Sequence, residues 1–276
     1  MYKIVKKEHL APEIEKFLIY APLIARAAQP GQFVILHLFE RGERFPLTIV
    51  SSLPEEGLIE IVSQRVGKST AALAALKEDD SIQDIAGPLG NPSEIKKYGR
   101  VVVIGGGVGI APLLPISRAW KEAGNEITAV LGARSKSLLF FVEDFKKIAQ
   151  IVYLTTDDGS LGKKGFVTDV LKMLIDEKKE IHKVMAVGPV VMMKAVSELT
   201  RKNNISTTVS LNSIMIDGTG MCGGCRCLVK GESRFACIHG PEFDAHQVDF
   251  NLLLRRQNMF LEEEKIARER FRKGRE

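Results

Sequence analysis

The chain lacks any uninterrupted apolar run of about eighteen residues, which excludes a helical membrane span. No secretory signal pattern precedes it, so a reducing cytoplasm is expected and structural disulfides are disfavoured there. Internal repeats and low-complexity segments are absent. The formal charge is only +5 and mixed in sign, apart from the basic stretch Lys265-Ile266-Ala267-Arg268-Glu269-Arg270-Phe271-Arg272-Lys273, so nucleic acid is not indicated. Cysteine is scarce as well, with four in 276 residues. With 45% apolar content a chain of this length buries a large core, enough for two domains and a smaller module.

All four cysteines lie in one Gly-rich stretch, Asp217-Gly218-Thr219-Gly220-Met221-Cys222-Gly223-Gly224-Cys225-Arg226-Cys227 followed by Cys237. That clustering points to a metal site. Cys222, Cys225 and Cys237 give C-x2-C-x11-C, the last three members of a plant-type [2Fe-2S] run whose first member stands five positions earlier. Asp217 occupies that position. One carboxylate with three thiolates carries the formal charge of four thiolates, so Asp217 is a chemically allowed fourth ligand. The alternative set uses Cys227 in its place, although Cys227-Leu228-Val229 also begins the apolar alternation of a strand leaving the loop. A structural zinc site is a further option. Glycines 218, 220, 223 and 224 suit a loop whose N–H groups must turn inward toward sulfur.

The first hundred residues predict strands. Phe17-Leu18-Ile19-Tyr20, Phe33 to Leu38, Leu47 to Val50 and Leu58 to Val62 are short β-rich runs separated by Gly and Pro turns, the pattern of an antiparallel barrel. From Val101 the pattern changes to α/β. Val101-Val102-Val103-Ile104, Ile127 to Leu131, Ile151 to Thr155, Val184 to Val187 and Thr207 to Leu211 alternate with helix-like stretches, which predicts right-handed βαβ units and a parallel sheet. The expected divisions are 1–95 for the barrel, 96–211 for the α/β domain, 212–250 for the metal module and 251–276 for a C-terminal helical segment. In that last segment Leu252, Leu253, Leu254, Phe260, Leu261, Ile266 and Phe271 recur at partly helical spacing, which suits packing on the chain's own domain or a subunit contact.

Open α/β sheets bind ligands at the carboxyl ends of their strands. Here those ends carry Gly105-Gly106-Gly107-Val108-Gly109-Ile110-Ala111-Pro112, Gly132-Ala133-Arg134, Thr156-Asp157-Asp158-Gly159 and Gly188-Pro189, which predicts a nucleotide cleft. The glycine loop is not the standard dinucleotide fingerprint, because Ile110 stands where the third glycine belongs and no acidic residue closes the second strand. The triple glycine still allows N–H groups to approach a pyrophosphate at a helix N-terminus, with Pro112 tolerated in the first turn. Arg134-Ser135 could contact a 2′-phosphate, so these residues alone lean toward NADP. In the barrel, Arg65-Val66-Gly67-Lys68-Ser69-Thr70 turns from a strand into a helix with free N–H groups and hydroxyls, a second candidate phosphate site. Arg44-Phe45-Pro46-Leu47-Thr48 sets a basic residue, an apolar wall and a hydroxyl on a strand.

Taken together, these residues and their order resemble the ferredoxin-NADP reductase superfamily. Within it the chain is similar to the electron-transfer subunits of dihydroorotate dehydrogenase and of electron-bifurcating NADH-dependent ferredoxin:NADP oxidoreductase. The resemblance rests on Pro46-Leu47-Thr48, Gly67-Lys68-Ser69-Thr70, Gly105 to Pro112, Gly188-Pro189 and the cysteine module. It implies an FAD-binding barrel with Arg44, Pro46, Leu47, Thr48 and Ile49 along the flavin, Val62-Ser63-Gln64 beside it and Gly67-Lys68-Ser69-Thr70 on the pyrophosphate. Leu47 stands in the family's aromatic place and Phe45 in its arginine place. The resemblance further implies Gly105, Gly106, Gly107, Val108 and Gly109 on the pyrophosphate of NAD(H), with Arg134, Asp157 and Asp158 along the same cleft and Gly188-Pro189 near the nicotinamide. It puts Asp217, Cys222, Cys225 and Cys237 on a [2Fe-2S] cluster, the Asp variant being a feature of the bifurcating subunit. The function so implied is a cytoplasmic electron-transfer subunit working with NAD(H), FAD and [2Fe-2S]. Its partner would be a larger flavoprotein subunit through which ferredoxin and NADP are reached, with a dihydroorotate dehydrogenase electron-transfer subunit or a stand-alone NAD(P)H reductase for a soluble carrier as the alternatives.

Overall fold

The computed structural model describes residues 1–274. Its first sheet is built from β1 (Tyr2–Ala11), β2 (Ile14–Tyr20), β3 (Phe33–His37), β4 (Arg44–Leu53), β5 (Leu58–Gln64), β6 (Ser81–Ile82) and β7 (Asp84–Leu89), with α1 (Pro22–Ala27) and α2 (Lys68–Ala75) between strands. The order β6-β1-β2-β5-β4-β3-β7 is antiparallel throughout and leaves as its two edges strands that are separated by one residue in the chain, so the sheet curls into a nearly closed barrel. Alternation decides which side chains fill it. Phe17, Ile19, Val34, Leu36, Ile49, Ile59 and Ile61 form its buried interior, as period-two patterning requires. The sequence missed β1, whose Lys and Glu side chains interrupt the apolar alternation.

The second sheet contains β8 (Arg100–Gly106), β9 (Glu126–Ala133), β10 (Ile151–Thr156), β11 (Lys163–Lys164), β12 (Lys183–Val187) and β13 (Thr207–Ser210), all parallel, with α3 (Ile110–Glu122), α4 (Val142–Ile148), α5 (Val167–Asp176) and α6 (Val190–Lys202) on its faces. Its central strands are apolar without alternation because both faces are covered: Val101 and Val103 face one core, Val102 and Ile104 the other.

Residues 212–274 add a hairpin of β14 (Arg226–Val229) and β15 (Glu232–Phe235), the short helix α7 (Ala236–His239), strand β16 (Glu242–Asp244), and helices α8 (Phe250–Gln257) and α9 (Leu261–Arg272). Strand β16 pairs antiparallel with β13 and becomes the edge of the parallel sheet. This module is therefore sewn into the α/β sheet. Among the described residues of the C-terminal segment only Leu253 is buried, with Phe250 buried just before it, while Phe260, Leu261 and Ile266 are exposed. No helix among the described residues is long and apolar enough to cross a membrane.

The connection near residues 91–99 is pinned along its length. Asn91 N–H donates to the Gly240 carbonyl at 2.7 Å and Ser93 N–H to the Pro30 carbonyl at 2.8 Å, while the buried Trp120 indole donates to the Glu94 carbonyl at 3.0 Å. Buried Asn125 accepts from Tyr98 N–H and Gly99 N–H with its side-chain oxygen. The Ser93 hydroxyl donates to the Glu242 carboxylate, which ties barrel, connection and β16 together. Burial raises the Glu242 carboxyl pKa above its ordinary 4.5. A raised native value favours the fold below the unfolded pKa and forfeits that contribution as pH rises through the native one. Glu242→Gln, which keeps an acceptor for Ser93 without a charge, is expected to melt no lower than wild type at pH 7. The wild type should gain on the variant as pH falls toward 4.5, measured by thermal melts across that range.

Candidate functional site

Between the barrel and the carboxyl ends of the parallel strands lies a cleft of roughly 1030 Å³. Its barrel wall is Phe33, Pro46, Leu47, Thr48, Val62 and Gln64. Thr48 stands opposite Phe33 in the β3–β4 register and Leu47 opposite Val34, so this wall is set by strand pairing. The facing wall carries Gly106, Gly107, Val108, Gly109 and Pro112 from the first strand–helix turn, Arg134 after β9, Asp157 after β10, and Gly188-Pro189 after β12. The two walls come from distant parts of the sequence, and the fold gathers them on one cleft.

Two glycines of the turn have different reasons to be glycine. At Gly109 a Cβ would stand 2.4 Å from the Val187 carbonyl oxygen and 2.7 Å from Gly188 Cα, both backbone. That close approach lets the start of α3 pack on the end of β12. Gly107 has φ +56°, and a Cβ there would meet nothing within 4 Å, so its left-handed turn leaves open space on the cleft side.

Other residues picked from sequence lie elsewhere. Ile49 points into the barrel core, Arg44 is exposed at the start of β4, Gly105 is buried under Ile110, and Asp158 is exposed, its carboxylate accepting from Ser160 N–H at 2.9 Å. Ser63 is buried, its hydroxyl oxygen without a partner among the described residues. Gly67 N-caps α2 outside the cleft lining, and the Thr70 hydroxyl accepts from Val66 N–H at 3.0 Å and Gly67 N–H at 3.1 Å. Ser69 donates to Glu43. A Cβ on Gly67 would meet nothing within 4 Å.

The sequence missed several stretches of cleft wall, among them Phe166 to Thr168, Val190 to Met192 and, after β13, Leu211, Asn212, Ser213 and Met215, with Pro241, Leu254 and Gln257. Ser213 is buried and its oxygen has no partner among the described residues. No glycine marks this strand end. Its only signal is nearness to Asp217, two residues beyond Met215.

The loop that follows folds over its own side chains. Asp217 accepts Thr219 N–H at 2.7 Å on one oxygen and Cys222 N–H at 2.5 Å on the other, and the Thr219 amide chiefly holds its carboxyl below the ordinary carboxylate value. Gly218, Gly220 and Gly223 have φ of +76°, +86° and +66°. A Cβ at Gly218 would stand 2.6 Å from Leu89 and 2.8 Å from Ile35, so this loop sits directly on barrel strands β7 and β3.

None of the four cysteines is in a disulfide. Cys225 and Cys237 are buried with their sulfurs 3.1 Å apart. Backbone N–H groups aim at sulfur: Gly224 at Cys222 and Cys237 at Cys225, both 3.4 Å. Cys227 turns away, its thiol donating toward the Arg234 carbonyl across the β14–β15 hairpin at 3.6 Å. Burial pushes the Cys227 thiol up to about 11; burial and the Cys225 contact push Cys237 up to about 12, so a metal taken up here must displace protons. Among the described residues no three His, Cys, Asp or Glu side chains converge tightly enough for a single ion. A binuclear cluster divides its ligands between two irons, so a buried Cys225–Cys237 pair with an exposed Cys222 nearby, and one N–H directed at each of Cys222 and Cys225, suits that group better than four donors around one zinc ion.

A barrel facing a parallel nucleotide-type sheet, with a thiol loop at their junction, defines an oxidoreductase with the ferredoxin reductase-like fold. Residues 103–198 match the oxidoreductase NAD-binding domain, and residues 212–249 match the iron-sulfur cluster binding domain of dihydroorotate dehydrogenase B. A dihydroorotate dehydrogenase B (NAD(+)) electron transfer subunit homolog from Thermotoga maritima is 51% identical over 98% of this chain and 95% of its own length. The corresponding electron transfer subunit of Caldanaerobacter subterraneus is 37% identical over 80% of this chain and 87% of its own. A solved chain from the structure of an NADH-dependent reduced ferredoxin-NADP oxidoreductase, described for flavin-based electron bifurcation, is 50% identical with a TM-score of 0.93 over 98% of both chains. Phthalate dioxygenase reductase, at 18% identity and TM-score 0.61 over 94% of this chain and 80% of its own, shares the fold. The chain belongs to the family of dihydroorotate dehydrogenase B electron transfer subunits and their homologues.

The two glycines give a test of the packing argument. Gly109→Ala forces backbone apart and is expected to cost about 2–3 kcal/mol, toward the upper end of overpacking penalties. Gly107→Ala meets no neighbour and should cost only the left-handed backbone, about 1–2 kcal/mol. Urea unfolding midpoints of the two variants check the order.

Proposed function

We propose that this chain is the electron-transfer subunit of a larger complex, exchanging electrons between NAD(H) and a partner flavoprotein by way of FAD in the cleft and a [2Fe-2S] cluster in the thiol loop. The observation that carries this reading is the continuity of residues 211–217: Leu211, Asn212, Ser213 and Met215 form cleft wall, and Asp217 opens the donor loop. One short segment therefore borders both cofactor sites. Bound there, a flavin supplies the exchange between hydride transfer and single electrons, and an iron-sulfur centre carries single electrons onward.

The chain's own residues supply position and dryness. Pro46, Leu47 and Thr48, with Val62 and Gln64, offer an apolar face and two polar groups for a planar ring. Beyond the cleft lining, which on this strand ends at Gln64, Gly67, Lys68, Ser69 and Thr70 offer the N-terminus of α2 to a flavin pyrophosphate extending out of the cleft, and Gly106, Gly107 and Gly109 offer the N-terminus of α3 to that of NAD(H). Gly188 and Pro189 close the nicotinamide side. No proton donor or acceptor is required of the protein. Similarity to the subunit described with electron bifurcation supports a large flavoprotein partner through which ferredoxin and NADP are reached, and favours NAD(H) over NADP. A thiolate-held cluster suits a reducing compartment such as the cytoplasm.

The purified chain is expected to show flavin absorption together with a reducible [2Fe-2S] EPR signal, both responding to NADH under anaerobic conditions; a colourless chain would sink the reading. Because Gly67 has open space and ordinary backbone angles, Gly67→Val should fold normally yet lose most of its flavin while iron stays near one cluster per chain. Full flavin occupancy in that variant would remove the pyrophosphate from this turn.

The ligand set we assign is Asp217, Cys222, Cys225 and Cys237, with Cys227 left out because its thiol faces the hairpin carbonyl. Carboxylate is a harder donor than thiolate. Asp217→Cys is therefore expected to keep the cluster with altered g-values, Asp217→Ala to make it labile, and Cys227→Ser to change iron content little. Loss of the signal in Cys227→Ser with retention in Asp217→Ala would reverse the assignment.

A further inference from the structure

Helix α8 begins at Phe250, one residue beyond the end of the matched cluster-binding region at 249. It is firmly anchored. Asp249 caps it by accepting Leu252 N–H at 2.9 Å, Phe250 and Leu253 are buried, and Lys194 of α6 donates to Asn251 at 2.9 Å. Its last turn makes two polar contacts from adjacent residues. Gln257 donates to the Asn212 carbonyl at 2.8 Å and to the Asn212 side-chain oxygen at 2.9 Å, on the cleft wall. Arg256 donates to the Gly224 carbonyl at 3.2 Å, inside the donor loop.

The Gly224 carbonyl belongs to the same peptide group as the Cys225 N–H. A guanidinium on that oxygen fixes the peptide's orientation and polarises it, which strengthens the N–H end at the cysteine. Arg256 is also half-buried, so its charge is screened less than that of a surface cation. Arg226, whose guanidinium lies 5.7 Å over the Phe235 ring beside Gly223, is exposed. Iron-sulfur potentials follow local charge, hydrogen bonding and solvent access. Reduction adds a negative charge, and a nearby fixed cation favours it.

We propose that Arg256 is a positioning residue of the donor loop that raises the reduction potential of the cluster held there, through its charge and its hold on the Gly224–Cys225 peptide. The inference rests on the cluster reading above. The role belongs to helix α8, which also grips the cleft wall through Gln257, so the same turn fixes both sites relative to each other.

The test is an EPR-monitored redox titration of the full-length holoprotein. Arg256→Gln is expected to keep iron and sulfide content while the cluster binds its electron about tenfold more weakly, a midpoint about 59 mV lower for a one-electron couple. Arg256→Lys should recover a large part of that shift by keeping the charge, and Arg226→Gln should move the midpoint much less. An unchanged midpoint in Arg256→Gln, or an equal shift in Arg226→Gln, overturns the proposal. Should Arg256→Gln lose the cluster, Arg256→Lys decides: a cluster near the wild-type midpoint supports the role, and a lost or equally shifted one overturns it. A wild-type chain without iron and sulfide would overturn the cluster reading and this one with it.

Discussion

The antiparallel pairing of β16 with β13, through Thr208–Asp244, Val209–Phe243 and Ser210–Glu242, is the contact on which the geometry of the site depends. A parallel sheet ending at β13 would present a row of unpaired N–H and C=O groups. By closing that edge, the chain brings residues 236–242 back beside the start of the donor loop. Cys237 then reaches Cys225, and Pro241 reaches the cleft. The Ser93 hydroxyl on Glu242 and the Asn91 amide on the Gly240 carbonyl extend the same seam to the barrel. Three units so joined share one packed interior, in which Phe33 and Ile35 of the barrel meet Leu211, Met215 and the buried cysteines.

Such rigidity matters because electron transfer asks the protein for fixed distances more than for reactive side chains. The cleft walls are set by strand register on one side and by backbone close approach on the other, neither of which depends on a flexible side chain. The donor loop lies on the barrel because Gly218 has no side chain to hold it off Leu89 and Ile35. Helix α8 completes the arrangement from the outside, with Gln257 on one site and Arg256 on the other.

Much of this is legible in the order of the amino acids. The strands around Phe17, Phe33, Leu47 and Leu58, the βαβ alternation from Val101 and the Gly-bearing strand ends all appear where their patterns place them, because period and turn chemistry are local properties. Strand β1 escaped because Lys6, Lys7 and Glu8 form ion pairs along and across the strands, and this run of charge hides its alternation. Pro46 to Thr48, Gly106 to Gly109, Arg134, Asp157 and Gly188 do meet on one cleft, whereas Ile49, between the cleft-lining Thr48 and Val50, alternates into the barrel core and Gly105 lies buried under Ile110.

Residue spacing alone is enough to place four thiols and a carboxylate in one module, glycines at strand ends and a hydroxyl-bearing helix start after β5. What it could not decide was which distant pieces become neighbours. That Leu211, Asn212, Ser213 and Met215 form cleft wall, that Cys227 turns toward Arg234, and that Arg256 grips Gly224 follow from β16 docking on β13, from the β14–β15 hairpin register and from α8 packing against the module. Contacts of this kind are selected by burial and backbone pairing across the whole fold, for which no local pattern exists.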